Sequence, residues 1–284
     1  MTKTTFARAL WVRIETIHAV TYFSQETRAA ANFLGLDGFW AGYFGFRAAP
    51  LGCAGPNEVE DCFYNFAPSF VRRWVPDVWE KASPKALVEA RSLAAAATLR
   101  RIAADVEAIA ERAKGPLQDA IDRCEPSGLP MFAANLTVSL PFDYVSRLWQ
   151  LCTSLREHRG DGHVVALRDV GIDGLQAHVL IATEQDNSPI DLQRTRGWTA
   201  DDWNHAVERC NDAGLISVHG GLTAKGRALR EEIESATDRH AARPFKSVDA
   251  EAREALLDLL SAVAIAVSQS GEIRYPNPMG LPRL

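Results

Sequence analysis

The chain has 284 residues, 47% of them apolar, enough to bury a substantial core in one large helical body or in two ordinary domains. Lys and Arg total 31 against 36 Asp and Glu, a net charge of −5, so the sequence holds no long basic tract to neutralise phosphates or settle on an acidic membrane. Cys53, Cys62, Cys124, Cys152 and Cys210 form no CxxC pair and no zinc-ligand spacing, and no metal is expected. The opening MTKTTFARALWVRIETIH is broken by charges where a signal peptide needs an apolar run, and no stretch reaches membrane-spanning length, so a cytoplasmic chain is expected.

Residues 5–22 have helical periodicity with bulky groups on nearly every face, which predicts a buried first helix. Ser24, ahead of Glu26 and Thr27, predicts the cap of a second helix that stops at Gly35, and a third spans 38–49 before Pro50. Pro56 opens another that reaches about Trp74 with a break at Pro68. Strong helix formers over 84–114 predict one long helix or a pair, and Pro and Gly punctuate 115–141. The expected organisation is a helical N-terminal half over 1–125, a linker over 126–141 and a C-terminal half over 142–284.

That second half predicts a helix from Tyr144 to about His158, a glycine break at Gly160 and Gly162, and a helix over 163–170. Asp173 caps another to Thr183, and a polar loop covers 184–197. In WTADDWNHAVERCNDAGLISVHGGLTAKGRALREEIE, Thr199 with Asp202 starts a helix that Gly214 closes. A short apolar strand over Leu215 to Val218, a turn at Gly220 and Gly221, and a second cap at Thr223 follow. Helix, ribbon, helix is the order of a winged helix, so the expected fold is mostly α with a short β-ribbon wing. Residues 197–234 resemble the MarR-type winged helix through Gly214, Leu215, Leu222, Thr223, Gly226, Arg227, Leu229, Ile233 and Glu234. Nearly end to end, through HAVTYF, FRAAPLG, LREHRGDGH and NPMGLP, the chain is similar to an actinobacterial helix-turn-helix family of about this length. That resemblance implies a fold and leaves function open.

FLGLDGFWAGY at 33–43 and DVGIDGLQAHV at 169–179 share Gly, Asp, Gly and Ala at an offset of 136. MarR-type proteins are dimers of subunits about half this length, so an internally duplicated pseudo-dimer is expected. DNA reading requires cations, and here Asp201, Asp202, Glu208 and Asp212 stand against Arg209 alone over 199–213, with none on the His219-Gly220-Gly221 tip. Arg194, Arg196, Arg209 and Lys225 are the candidate DNA contacts, in a reading the acids disfavour.

Trp11, Glu15, His18 and Tyr22 share one stripe of the first helix. Buried ionisable groups need partners, so Glu15 and His18 are either a satisfied core pair or part of a ligand site; Glu15-x-x-His18 has no second copy to complete a two-metal site. Residues 156–163, REHRGDGH, concentrate charge around two glycines and serve either as ion pairs between helices or as a ligand segment. Brought together, these stretches predict a pocket with Trp11, Tyr22, Trp40 and Tyr43 as walls, Glu15, His18 and Asp161 as polar tips, and Arg156 or Arg159 holding an anionic group of a small organic ligand. His163, Glu157 and His158 are the acid–base candidates, with no reaction named, and no cofactor fingerprint identifies a cofactor. The expected function is small-molecule binding with catalysis left open; the alternative is a ligand-responsive MarR-type DNA-binding regulator. Oligomeric state is not readable.

Overall fold

The computed structural model describes residues 5–185, 188–217, 219–277 and 279–284. The chain divides into two compact units that interleave in sequence: unit 1 holds 1–54, 76–161 and 238–284, and unit 2 holds 55–75 and 162–237. The helices in chain order are α1 (Phe6–Phe23), α2 (Gln25–Phe33), α3 (Gly38–Ala48), α4 (Pro56–Cys62), α5 (Pro68–Val71), α6 (Asp77–Lys81), α7 (Pro84–Ile102) and α8 (Val106–Asp122). They continue as α9 (Pro130–Leu136), α10 (Tyr144–Asp169), α11 (Gly174–Gln185), α12 (Pro189–Arg196), α13 (Ala200–Asp212), α14 (Ala224–Ala242) and α15 (Ala250–Gln269).

Unit 1 is built around α1, which packs against α2, α3, α7 and α15. Thr5 caps it by accepting the Arg8 amide, and every residue from Ile14 to Tyr22 is buried. Leu10, Ile14, Ile17 and Val20 join Leu99, Leu117, Leu148, Trp149, Leu260 and Val263 in one apolar core. Each such side chain removed from water contributes about 1.5–3 kcal/mol. Ser24 ends α1 and begins α2, its hydroxyl accepting from the Thr27 amide at 3.1 Å.

Two expected interruptions are absent. α8 continues through Gly115 and Pro116, because Leu117, Ala120 and Ile121 beyond them are buried in the core. α10 runs unbroken through Gly160 and Gly162. Two helical glycines cost about 1 kcal/mol each relative to alanine, and burial of Leu155, Ala166 and Leu167 along the same helix offsets that. Residues 126–141 lie inside unit 1 and include α9.

Unit 2 has its own core, with Leu175, Val179 and Leu180 of α11, Leu192 of α12, Trp203, Ala206 and Cys210 of α13, and Ile233 of α14. The expected β-ribbon wing is not there. Among the described residues no strand is present, and the segment between α13 and α14 holds a single antiparallel bridge, Ile216 to Leu222. Gly220 and Gly221, both with φ of 83°, lie in the turn between the two bridged residues. Val218, the end of the expected strand, lies outside the described residues, as do Met1 to Thr4 of the opening segment and Asp186 and Asn187 of the expected polar loop. The winged-helix, pseudo-dimer expectation is corrected accordingly. The repeat at Gly35 and Gly171 is one local device used twice: a positive-φ glycine ends a helix and an aspartate precedes the next. The compact units do not follow the sequence halves.

Candidate functional site

In unit 2 the segment expected as a polar loop contains α12. Ser188 accepts from the Asp191 amide, Pro189 occupies the first turn, and Leu192 is the side chain that α12 buries. Gly197 ends α12 in the left-handed region, φ 78°, with its amide bonded to Gln193. After Trp198, Thr199 and Asp202 close a full capping box at the start of α13. Helix, three-residue turn and helix are therefore consecutive here. The signal missed in the sequence was Ser188-Pro189-Ile190-Asp191, a cap and first-turn proline.

α13 buries Trp203, Ala206 and Cys210 and exposes Asp201, Asp202, Asn204, His205, Glu208, Arg209 and Asp212. Asp202 is committed to the cap, and hydrogen bonds from Thr199 hold its carboxyl below the usual range. The four expected DNA-contacting cations all have local partners. Arg194 pairs with Asp191 at 3.2 Å, Arg209 with Asp173 at 2.7 Å, Lys225 Nζ donates to the Ala213 carbonyl at 2.8 Å, and Arg196 lies 4.8 Å over the Phe66 ring.

The stretch 65–74 covers the turn. The Ala67 amide donates to the Arg196 carbonyl at 2.9 Å, and the Trp198 indole donates to the Asn65 carbonyl at 3.0 Å. A Cβ on Gly197 would stand 2.2 Å from the Phe70 Cβ, so this close approach admits only glycine.

Unit 1 buries the other constellation. Glu15 of α1 accepts two bonds from Arg156 Nε of α10, at 2.9 and 3.2 Å. Glu157 lies 2.8 Å from Arg156 Nη1 and 3.5 Å from Arg47 Nε of α3, and Arg47 also donates to the Tyr43 hydroxyl at 3.0 Å. The Tyr22 and Tyr43 rings are 4.7 Å apart. Thr153 donates its proton to the Trp149 carbonyl and so accepts from His18 Nδ1, which leaves His18 Nε2 to accept from the Tyr22 hydroxyl, both at 2.9 Å. Burial, then the nearby Arg156, Arg91 and Arg47, keep His18 neutral by lowering its pKa well below the ordinary value. Burial also raises the Tyr22 phenol, so it stays protonated. Burial pushes the Glu157 carboxyl up, but Arg156 and Arg47 outweigh it and leave it below the usual range.

Arg47 and Arg91 were missed in the sequence. Arg91 of α7 is buried, and among the described residues no carboxylate is bonded to it. It donates to the Phe46 carbonyl at 2.7 Å, to Asn135 at 3.0 Å and to Gln150 at 3.3 Å, and lies over Trp149. Burial lowers its pKa to about 10. It was legible as the lone charge on the buried Leu87, Ala95, Thr98 side of an alanine-rich helix.

The remaining expected residues are placed elsewhere in this unit. Trp11 lies under Arg159 at 4.5 Å, Arg159 meets Asp238 at 3.3 Å, and Trp40 packs edge-on against Tyr43. Trp11, His158, Arg159 and Phe245 line a shallow cleft of about 260 Å³ counted out to open solvent. Asp161 accepts the Phe132 amide at 2.9 Å and so caps α9 from a neighbouring helix. Burial, with Glu157 one turn away, raises its pKa to about 7.

The three acid–base candidates do not converge. Glu157 is committed to the arginines, and His158 stacks on His240 at 4.3 Å, with burial, His240 and Arg243 lowering its pKa to about 3. His163, in unit 2, contacts the Thr237 hydroxyl at 3.0 Å. Among the described residues no group of His, Cys, Asp and Glu is arranged to hold a metal, and no helix is long and apolar enough to cross a membrane.

A helix-turn-helix family matches the chain over residues 7–274. No curated protein and no solved structure matches it.

Proposed function

We propose that this chain, which belongs to the helix-turn-helix family that spans residues 7–274, binds duplex DNA through α12, its turn and α13. The observation that carries the reading is the consecutive helix, Gly197 turn and capped second helix, with one face of α13 buried and the other exposed. In this arrangement the second helix enters the major groove and its first turns meet base edges. Asn204 suits adenine, and Asp201 and Glu208 can accept from the cytosine amino group. The same acids repel phosphates, so arbitrary duplex should bind weakly and a preferred sequence should stand out. Selection from a random duplex pool, followed by anisotropy titration of the enriched duplex, tests this. The expected result is an enriched motif and a salt slope of roughly −3, as few phosphates are contacted. Failure to enrich any sequence at low salt counts against it.

We also propose that the charged network of unit 1 holds a small organic ligand. The specific observation is a buried ion pair, Arg156 Nη1 and Glu157 Oε2 at 2.8 Å, beside Gly160, whose missing side chain leaves methyl-sized room 3.8 and 3.7 Å from the two atoms. A polar group of a ligand seated there meets a donor and an acceptor together. Native mass spectrometry of protein from its own host should show a retained mass that Gly160→Ala loses. A mass equal to the bare chain would remove this reading.

A further inference from the structure

We propose that residues 65–74 form part of the DNA-binding surface and supply, through Arg73, a phosphate contact that α13 lacks. The inference rests on the reading of α12 and α13 as a DNA-binding element and extends it to a segment more than a hundred residues earlier in the chain.

Three observations place that cation. The segment is fastened to the turn itself, by the Ala67 amide on the Arg196 carbonyl and the Trp198 indole on the Asn65 carbonyl. Its Phe70 fills the space that a side chain at Gly197 would need, and α13 begins three residues later, so the segment lies at the N-terminal end of α13. Phe66 and Phe70 stack with rings 6.2 Å apart and nearly coplanar in tilt, 2°, and each carries a guanidinium: Arg196 at 4.8 Å from Phe66 and Arg73 at 5.8 Å from Phe70.

The N-terminal end of the second helix is the end that enters the groove, and the phosphates flanking that entry must be neutralised by something nearby. α13 cannot do this. Its own arginine, Arg209, is paired with Asp173, and its first turn exposes Asp201 and Asp202. Arg73 is exposed, and its guanidinium is steadied by the ring beneath it. Its neighbour Arg72 is occupied by Glu60 and Asn57 on the same stretch of chain, which fixes the backbone from which Arg73 projects. A partner with a regularly spaced row of phosphates beside a groove fits this placement.

The test compares wild type, Arg73→Ala, Arg73→Gln and Asn204→Ala on the selected duplex and on a scrambled one of equal length. Arg73→Gln keeps the stem over Phe70 and removes only the charge. Both Arg73 variants are expected to bind the two duplexes several-fold more weakly by a common factor, with the salt slope reduced by about 1 and thermal melting unchanged. Asn204→Ala is expected to narrow the gap between the duplexes instead. Wild-type affinity and slope in Arg73→Gln would overturn the role of residues 65–74 while leaving DNA binding by α13 intact. A wild-type protein that binds neither duplex would overturn both.

Discussion

The two units handle charge in opposite ways. Unit 1 takes Glu15, Glu157 and Arg91 out of water, keeps Arg156 and Arg47 half-buried and ties these groups to one another and to backbone, whereas unit 2 leaves Asp201, Glu208 and Asp212 on the open face of α13 and buries Trp203, Ala206 and Cys210 behind them. A buried ion is costly unless its partners are all present, so the unit 1 network fixes the relative register of α1, α3, α7 and α10. An exposed acid adds little to stability, so the α13 face is free to be shaped by what it meets.

The largest break in this comparison should come from Arg156→Ala, which leaves Glu15 and Glu157 buried without their shared cation. A loss of about 3–5 kcal/mol in denaturant unfolding is expected, against less than about 0.5 kcal/mol for Asp201→Ala. Equal, small effects would mean that the unit 1 network is hydrated and not structural.

Gly197→Ala comes next. Its backbone at φ 78° costs an alanine about 1–3 kcal/mol, before the clash with Phe70 is counted. Limited proteolysis should cut first within 55–75 or 188–217, with the unit 1 helices protected.

Acidity separates the units less sharply. His18, His158, His178 and His240 are all held neutral chiefly by burial, so the unfolded chain takes up more protons below about pH 6.5 and stability should fall as pH drops through that value. Asp161 acts in the reverse sense. Its folded pKa, about 7, exceeds the ordinary 3.8, so the folded chain binds the proton first and this group adds stability as pH falls from 7 towards 4. Asp161→Asn should therefore steepen the decline in melting temperature between pH 7 and 5; an unchanged decline would place Asp161 in contact with solvent.

The smallest effect sharpens the contrast from within unit 1. Gly160→Ala places a methyl at ordinary contact distance from Glu157 and Arg156 and should raise stability by up to about 1 kcal/mol through helix propensity. Destabilisation would show that no room exists beside those atoms.

Much of the helical framework was legible because caps are local. Ser24, Asp173 and the Thr199–Asp202 box each announce a helix within four residues of sequence, and each is found doing so. Gly160 and Gly162 misled because their helix is held by burial on either side, which no window of sequence displays. α12 was missed because it buries little beyond Leu192, so periodicity had almost nothing to register. The wing failed for another reason: Gly214, Leu215 and Leu222 suggested its ends, but among the described residues the segment carries one bridge and no strand.

The site was readable only in part. Glu15, His18, Tyr22 and Arg156 stood out as ionisable groups on apolar helices, and the fold brings them within one network. Arg47 and Arg91 entered through long-range partners, Glu157 and Asn135, that the sequence does not pair. Residues 65–74 could not be assigned to the turn at Gly197 without coordinates, because nothing in either stretch names the other.

The central claim is that α13 reads duplex DNA. Its most direct measurement is anisotropy of the wild-type protein and Asn204→Ala on the selected duplex and on one altered at a single base pair of the enriched motif. The account predicts that wild type discriminates between the two by about 1–3 kcal/mol and that Asn204→Ala loses that discrimination at one position. Identical affinities of wild type for both duplexes, at every salt concentration, would contradict it.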